Sequence, residues 1–291
     1  MSEQTWFITG SSRGFGRALT AAALAAGDRV AATARRPEHL KDLVERYGDR
    51  ILPIELDVTE FAAATAAVET AVDRFGRLDV VVNNAGYANI GPIETSPEDD
   101  FRRQFETNFW GVYHVTRAVL PTLKAQGSGT IVQFSSIGGR VGGSPGLGSY
   151  QAAKFAVDGL TRVLAVETAP LGIRTLVIEP GGFATDWAGS SMSFHDVPAE
   201  YDATVGARIR DMDNPRLTAG DPARAGEILV RLLKRDDIPT HLVLGAGAAA
   251  MAQDYSRRQI AEVDAWAEVS RSADFGQAYP AAFPAGATPR P

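Results

Sequence analysis

Seven short, apolar, β-branched runs recur along this chain, and the longer stretches between them carry a helical period. The runs span residues 6–9, 29–34, 51–56, 80–83, 130–134, 174–178 and 241–244. Leu19, Ala22, Ala23 and Ala26 mark one helical face, closed by Gly27; Phe61, Ala64, Val68, Ala71, Val72 and Phe75 mark another, closed by Gly76. Ser96-Pro97-Glu98 reads as a cap, a first-turn proline and an acid favoured by the helix dipole. Asp221-Pro222 opens a later helix, with Ala225, Ile228, Leu229 and Leu232 facing inward. Strands interleaved with helices in this way imply right-handed βαβ units. The expected fold class is therefore α/β: a single doubly wound domain over residues 1–271, with about seven parallel strands and helices on both faces. Residues 183–220 break the rhythm, being rich in Gly, Ser, Asp and aromatics, and read as a long loop, functional or disordered, unless they hide a regular element. Residues 272–291 read as a Pro/Ala-rich C-terminal tail.

Composition removes several alternatives. The 291 residues are 45 % apolar and 22 % charged, enough to bury a core without staples. With no cysteine, a disulfide framework, thiol catalysis and cysteine-ligated metal sites are excluded. The four histidines, His39, His114, His195 and His241, lack metal-ligand spacing, so no metal is expected. A formal charge of −6 with no basic run argues against broad nucleic-acid binding. No apolar run reaches the roughly 18 residues of a membrane span. The start carries an acid and no apolar leader, so the expectation is a soluble, cytoplasmic protein.

The first strand runs into Thr9-Gly10-Ser11-Ser12-Arg13-Gly14-Phe15-Gly16-Arg17, and a helix follows at once. Gly10, Gly14 and Gly16 permit a sharp turn and close approach of backbone to a pyrophosphate, which the helix N-terminus then receives. Because the cluster follows a strand and opens an amphipathic helix, it reads as a phosphate-binding turn, with Ser12 and Phe15 inside it, rather than as a tight turn without a ligand. A phosphate loop of the nucleotide-triphosphatase kind is disfavoured because no Gly-Lys-Ser/Thr follows. Where an NAD enzyme carries an acid to hold the ribose 2′-hydroxyl, the second strand ends Ala34-Arg35-Arg36. Guanidinium groups suit a 2′-phosphate, and Arg13 adds charge to the same pocket, so the expected cofactor is NADP(H). A solvated loop would also accommodate the arginine pair.

Tyr150 and Lys154 stand four residues apart in a helical segment whose inward positions include Ala153, Ala156, Val157, Leu160 and Leu164, so both project from one face. A phenol, with a reference pKa of about 10, is a poor base at neutral pH, and a neighbouring ammonium favours its ionised form. The ordered set of the glycine turn, Asn83-Asn84-Ala85-Gly86, Ser136, Tyr150-Gln151-Ala152-Ala153-Lys154 and Pro180-Gly181 resembles the short-chain dehydrogenase/reductase family over roughly residues 5–245. The glycine spacing is not that of its extended, epimerase-like branch. The interval from Ser136 to Tyr150 is one residue longer than usual, placed near Gly143-Ser144.

That resemblance implies a reversible hydride transfer between NADP(H) and a small-molecule carbonyl or alcohol substrate, with Tyr150 as general acid/base. It implies that Lys154 also holds the nicotinamide ribose and that Ser136, the second of the Ser135-Ser136 pair, bonds the substrate oxygen. Asn108 would anchor a proton relay through water and Lys154. Asp57 and Val58 would lie near the adenine, Asn84, Ala85 and Gly86 along the cofactor, and Pro180, Gly181, Phe183 and Thr185 beside the nicotinamide. Residues 183–220 occupy the family's substrate-lid position. There Trp187, Met192, Phe194 and Tyr201 could line an apolar pocket or pack on the lid's own underside, and Asp186, His195 and Asp196 could supply polar contacts. The helices near 97–126 and 149–169 carry the family's usual assembly surfaces, which implies a homodimer or homotetramer. A non-catalytic NADP(H)-binding sensor or scaffold is the alternative; loss of Tyr150 or Lys154 would have signalled it, and both are present.

Overall fold

The computed structural model describes residues 3–185, 192–212, 214, 219–280 and 283–284. All seven expected strands form, within one or two residues of their expected ends. They are β1 (Thr5–Ile8), β2 (Arg29–Ala34), β3 (Ile51–Glu55), β4 (Val80–Asn83), β6 (Gly129–Phe134), β7 (Ile173–Pro180) and β9 (His241–Leu244). They make one parallel sheet in the order β3-β2-β1-β4-β6-β7-β9. Two three-residue strands, β5 (Ala88–Ile90) and β8 (Met192–Phe194), pair separately in parallel and were not visible in the sequence pattern.

The period of two along each central strand feeds both faces. Trp6, Ile8, Val80, Val82, Val132 and Phe134 point into one core. Phe7, Ala31, Val81 and Ile131 point into the other. On the first face lie α1 (Gly14–Ala25), α2 (Lys41–Tyr47) and α9 (Pro222–Leu233), contributing Leu19, Leu24, Leu43, Leu229 and Leu233. On the second lie α3 (Phe61–Phe75), α5 (Gly111–Gln126) and α7 (Gly148–Thr168), contributing Ala64, Val68, Val115, Val119 and Leu164. Each of the buried valine, leucine, isoleucine and phenylalanine side chains among these contributes about 1.5–3 kcal/mol. The sheet and its two helical layers are thus the doubly wound Rossmann arrangement.

Several helical details differ from expectation. Asp221 caps α9 as foreseen, accepting from the N–H groups of Ala223 (2.8 Å) and Arg224 (3.4 Å). Ile228, however, is half exposed, because the inward stripe of α9 runs through Ala225, Gly226, Leu229 and Leu233. Ala26 is exposed at the end of α1, where Leu24 takes the inward place. α4 (Glu98–Phe105) starts after Pro97, while the Ser96 hydroxyl donates to the Pro92 carbonyl at 2.8 Å, so Ser96 is no cap. The remaining helices are α6 (Gly138–Val141), α8 (Ala207–Asp211), α10 (Ala246–Ala265) and α11 (Ala267–Arg271). Among the described residues no helix is long and apolar enough to cross a membrane.

Candidate active site

In this strand order β1 and β4 lead away to opposite sides, and their carboxyl ends open a crevice between them. Thr9 fastens that crevice. Its hydroxyl accepts the N–H groups of Asn84 (2.9 Å) and Ala85 (3.0 Å) while donating to the Val82 carbonyl (3.2 Å). The Asn84 amide donates back to the Thr9 carbonyl at 2.9 Å. The Asn84 side chain therefore secures the glycine turn. A Cβ on Gly16 would overlap both the Gly10 carbonyl oxygen and that amide, so the residue type follows from this approach. α1 begins at Gly14 with no side-chain cap from Arg13 and no acid in its first turn, leaving its N-terminus suited to an anion.

A cavity of about 1210 Å³ runs from this turn across the sheet edge. It exceeds the roughly 300–1,000 Å³ of a site for one drug-sized molecule, so a dinucleotide and a second molecule both have room. Every expected site residue except Gly16 lines it: Gly10, Ser12, Arg13, Gly14, Phe15, Arg35, Arg36, Asp57, Val58, Asn84, Ala85, Gly86, Asn108, Ser136, Tyr150, Lys154, Pro180, Gly181, Phe183 and Thr185. Gly16 lies beneath the turn and shapes it. Phe15 is wedged between Phe134 and Phe183, with ring centroids 5.5 and 4.7 Å away.

Tyr150 and Lys154 face the same space from adjacent turns of α7, the Lys154 ammonium 5.7 Å from the centre of the Tyr150 ring. Both are buried, and Lys154 Nζ donates to the Phe134 carbonyl at 2.7 Å. The two serines divide. Ser135 is buried and its hydroxyl donates to the Lys154 carbonyl at 3.0 Å, holding α7 against β6. The Ser136 oxygen accepts the Gly138 N–H at 3.0 Å, leaving its own hydrogen to donate into the cavity. Arg140, on α6, closes a salt bridge at 2.8 Å with the fully buried Glu179, and so ties the serine loop to the turn at Pro180.

Asn108 sits on a wide helical turn, Glu106–Trp110, between α4 and α5. Its amide donates to the carbonyls of Tyr87 (3.0 Å) and Gln104 (3.1 Å). Its Oδ1 is buried without a hydrogen-bond partner and presses on Gly86, across which lies the Lys154 ammonium. Insertions of this π type recur at functional sites.

Burial pulls the Lys154 pKa down to about 8. Between pH 8 and the unfolded value near 10.4, the unfolded chain holds a proton that the folded chain lacks. Stability therefore rises with pH across that window, and below pH 8 the folded state carries the full penalty of a buried charge. Relative to Lys154→Met, the wild type should gain on the order of 3 kcal/mol from pH 8 to 10.5 when unfolded in urea without added nucleotide. Parallel pH profiles for the two proteins would refute this.

For residues 192–201 the structure takes the second of the two expected roles, packing rather than lining. None of Met192, Phe194, His195, Asp196 and Tyr201 lines the cavity, because β8 pairs edge-on with β5 and takes this stretch away from it. Met192 packs against Ala88, Ile90, Leu147, Tyr150 and Val205, Phe194 is half exposed, and the Tyr201 hydroxyl donates to Glu94. Trp187 and Asp186 lie outside the described residues. The lid instead contributes Arg208, Met212, Ala219 and Gly220 to the cavity.

A buried polar chain behind Tyr150 was missed from sequence. Ser149 donates to Asn89 Oδ1 at 2.6 Å, the Asn89 amide donates to Asp100, and Asp100 pairs with His195 at 2.6 Å and Arg103 at 3.0 Å. Burial alone would raise the Asp100 carboxyl, but the hydrogen bonds from Asn89, His195 and Arg103 outweigh it and hold the pKa below its usual value. The only sequence signal was the acidic Glu98-Asp99-Asp100 run, where the third acid falls on the inward face. His241 also has a partner, Asp158 at 2.6 Å; with Glu179 these make one compact acidic cluster, its carboxylates bridged by Arg140, Arg162 and His241 itself.

A switch-point crevice with a glycine turn at one end and a Tyr–Lys pair on its wall defines an oxidoreductase built for a nicotinamide cofactor. The model of the short chain dehydrogenase family matches residues 4–195, and the chain belongs to that family. Oxidoreductase BOA17 of Botryotinia fuckeliana is 46 % identical over 270 residues, covering 91 % of this chain and 97 % of the relative. The 3-ketodihydrosphingosine reductase of Bacteroides thetaiotaomicron is 31 % identical over 248 residues, covering 84 % and 89 %. A short-chain dehydrogenase from Streptomyces avermitilis superposes with a TM-score of 0.88 at 39 % identity, covering 94 % of this chain and 99 % of the other.

Proposed function

We propose that the protein reduces a ketone or aldehyde to the alcohol with NADPH, reversibly, using Tyr150 as the proton donor. The observation that carries this reading is the Tyr150–Lys154 pair, buried together on the wall of a cavity that begins at the glycine turn. The bare glycine turn, the uncapped start of α1 and the unpartnered Asn108 Oδ1 all fit a nicotinamide dinucleotide. When bound, NADPH supplies a hydride to the carbonyl carbon.

In this reading Tyr150 Oη gives its proton to the carbonyl oxygen, and the Lys154 ammonium stabilises the phenolate left behind. Ser136 Oγ donates to the same carbonyl oxygen and stabilises its developing negative charge. Asn108 Oδ1 is the acceptor that orients a relay of protons back to Tyr150 by way of Lys154 Nζ. Arg35, Arg36 and Arg13 hold the 2′-phosphate, with Asp57 and Val58 at the adenine, and Thr185 at the carboxamide. Phe155, Val163 and Val166 are large apolar residues exposed on α7, as Trp110 is at the start of α5, and they favour assembly of a homodimer or homotetramer through these helices.

NADPH consumption against a panel of aldehydes and ketones tests the reading. Turnover of at least one carbonyl compound is expected. Tight NADPH binding with no turnover of any panel member would favour a sensor or scaffold instead.

A further inference from the structure

The cavity is cationic in a protein whose net charge is −6. Arg13, Arg35, Arg36, Lys154 and Arg208 line it, and among the described residues Asp57 is the only acid that does. The proposed chemistry uses four of those five cations. Arg208 is left over.

Its position separates it from the cofactor's phosphate end. Arg208 stands on α8, whose neighbours Val205, Ile209 and Met212 pack on the apolar cluster containing Tyr150 and Leu147. The other lid arginine, Arg210, is exposed and paired with Asp202 at 2.7 Å. Arg208 turns the opposite way, into the cavity, with a buried Nε that has no hydrogen-bond partner, and it forms no ion pair among the described residues. A buried donor left unmet in a protein wall is costly, and a charged one more so. A second such donor lies beside Tyr150. Gln151 lines the cavity and is more than nine-tenths buried, its Oε1 accepts the Ser144 N–H at 3.2 Å, and its Nε2 is buried beside Gly138 without a hydrogen-bond partner.

We propose that the carbonyl substrate is an oxo acid whose carboxylate is received by Arg208, with Gln151 Nε2 as an additional donor. This rests on the reductase reading above. Two unmet donors, with Asp57 the only acid among the described residues of the cavity wall, call for an acceptor-rich, negatively charged group, which a guanidinium binds with charge-assisted hydrogen bonds. One cation set among Met212, Leu147 and Val205 balances a singly charged carboxylate on an apolar body; a phosphate, near −2, would ask for more. Arg208 is thus a specificity-determining residue of the substrate side.

The test is calorimetric titration in saturating NADP⁺, where a ketone cannot be reduced. The probes are 4-acetylbenzoate and short, medium and long oxo acids, each against its methyl ester. At least one acid should bind about tenfold or more tightly than its ester, a preference abolished in Arg208→Met and partly restored in Arg208→Lys. Affinity for NADP⁺ should stay within about twofold in both variants, which also verifies folding. Equal binding of every acid and its ester overturns the proposal. A fall in NADP⁺ affinity matching the fall for the acid also overturns it, placing Arg208 with the cofactor. Repeating the series with NADPH separates the two readings. An acid preference without turnover sinks the reductase reading and leaves the anion anchor standing, whereas turnover without an acid preference does the reverse.

Discussion

Replacing Tyr150 by Phe should lower the rate of carbonyl reduction by roughly 10²–10⁴-fold while leaving NADPH affinity within about twofold. The substitution removes one oxygen and keeps the ring. That ring packs with Ala88, Ile90, Leu147, Met192 and Val205, so the apolar cluster and the course of α7 should survive. What disappears is the only hydroxyl placed one helical turn from the Lys154 ammonium. Ser136 can still donate a hydrogen bond, but its proton is held too firmly at neutral pH to be given up in the reaction. Steady-state NADPH consumption, set beside nucleotide binding followed by fluorescence, separates the two effects. Retention of a tenth or more of the wild-type rate would show that the proton comes from elsewhere.

The second large effect concerns the nucleotide. The wild type should use NADPH at least about tenfold more efficiently than NADH, and Arg35→Asp should abolish or invert that ratio. β2 stops at Ala34, which is buried, and the chain emerges into solvent at Arg35 and Arg36 on the cavity rim. Neither guanidinium has a side-chain hydrogen bond or salt bridge among the described residues, so neither is occupied in holding the fold together. Hydrogen bonds between a guanidinium and a phosphate contribute about 1.5–3 kcal/mol, which is one to two orders of magnitude in efficiency. An aspartate at position 35 would repel the 2′-phosphate and offer an acceptor to a ribose hydroxyl. Comparison of kcat/KM for both nucleotides in both proteins checks this; equal use by the wild type would refute the role given to the arginine pair.

Both effects depend on features that were legible in the sequence, and for a physical reason. A parallel sheet buried on both faces requires near-continuous apolar strands, so β1, β4 and β6 announce themselves. The glycine turn and the Tyr150/Lys154 spacing are local patterns with one geometric meaning each. What escaped depends on distant partners or on weak periodicity. The strands β5 and β8 are three residues long and exist through each other. The π turn holding Asn108 has the composition of an ordinary helix. α10 buries only Ala248 and Ala252 along its length, so no apolar stripe marked it. Ser135 and Ser136 are neighbours of one type; the resemblance pointed to Ser136, but what occupies Ser135 (the Lys154 carbonyl) could not be read from the sequence. Arg208 lay in the stretch without period, where no sequence rule says which of two nearby arginines faces inward.

The segment between Gly182 and Gly220 enters and leaves at one place. The Ala184 N–H donates to the Gly220 carbonyl at 2.8 Å and the Gly220 N–H to the Gly182 carbonyl at 3.0 Å, while the Phe183 ring sits where any Gly220 side chain would go. A loop clasped at its root obliges the Rossmann layers very little to its contents, and lengthening it adds only a slowly growing closure entropy. The segment between these glycines can therefore change in length without disturbing the sheet, so long as the residues that hold Phe15, Tyr150 and Asp100 (Phe183, Met192, His195 and Val205) are kept. Insertions elsewhere in it should change which compounds are accepted while the nucleotide and the proton donor stay where they are.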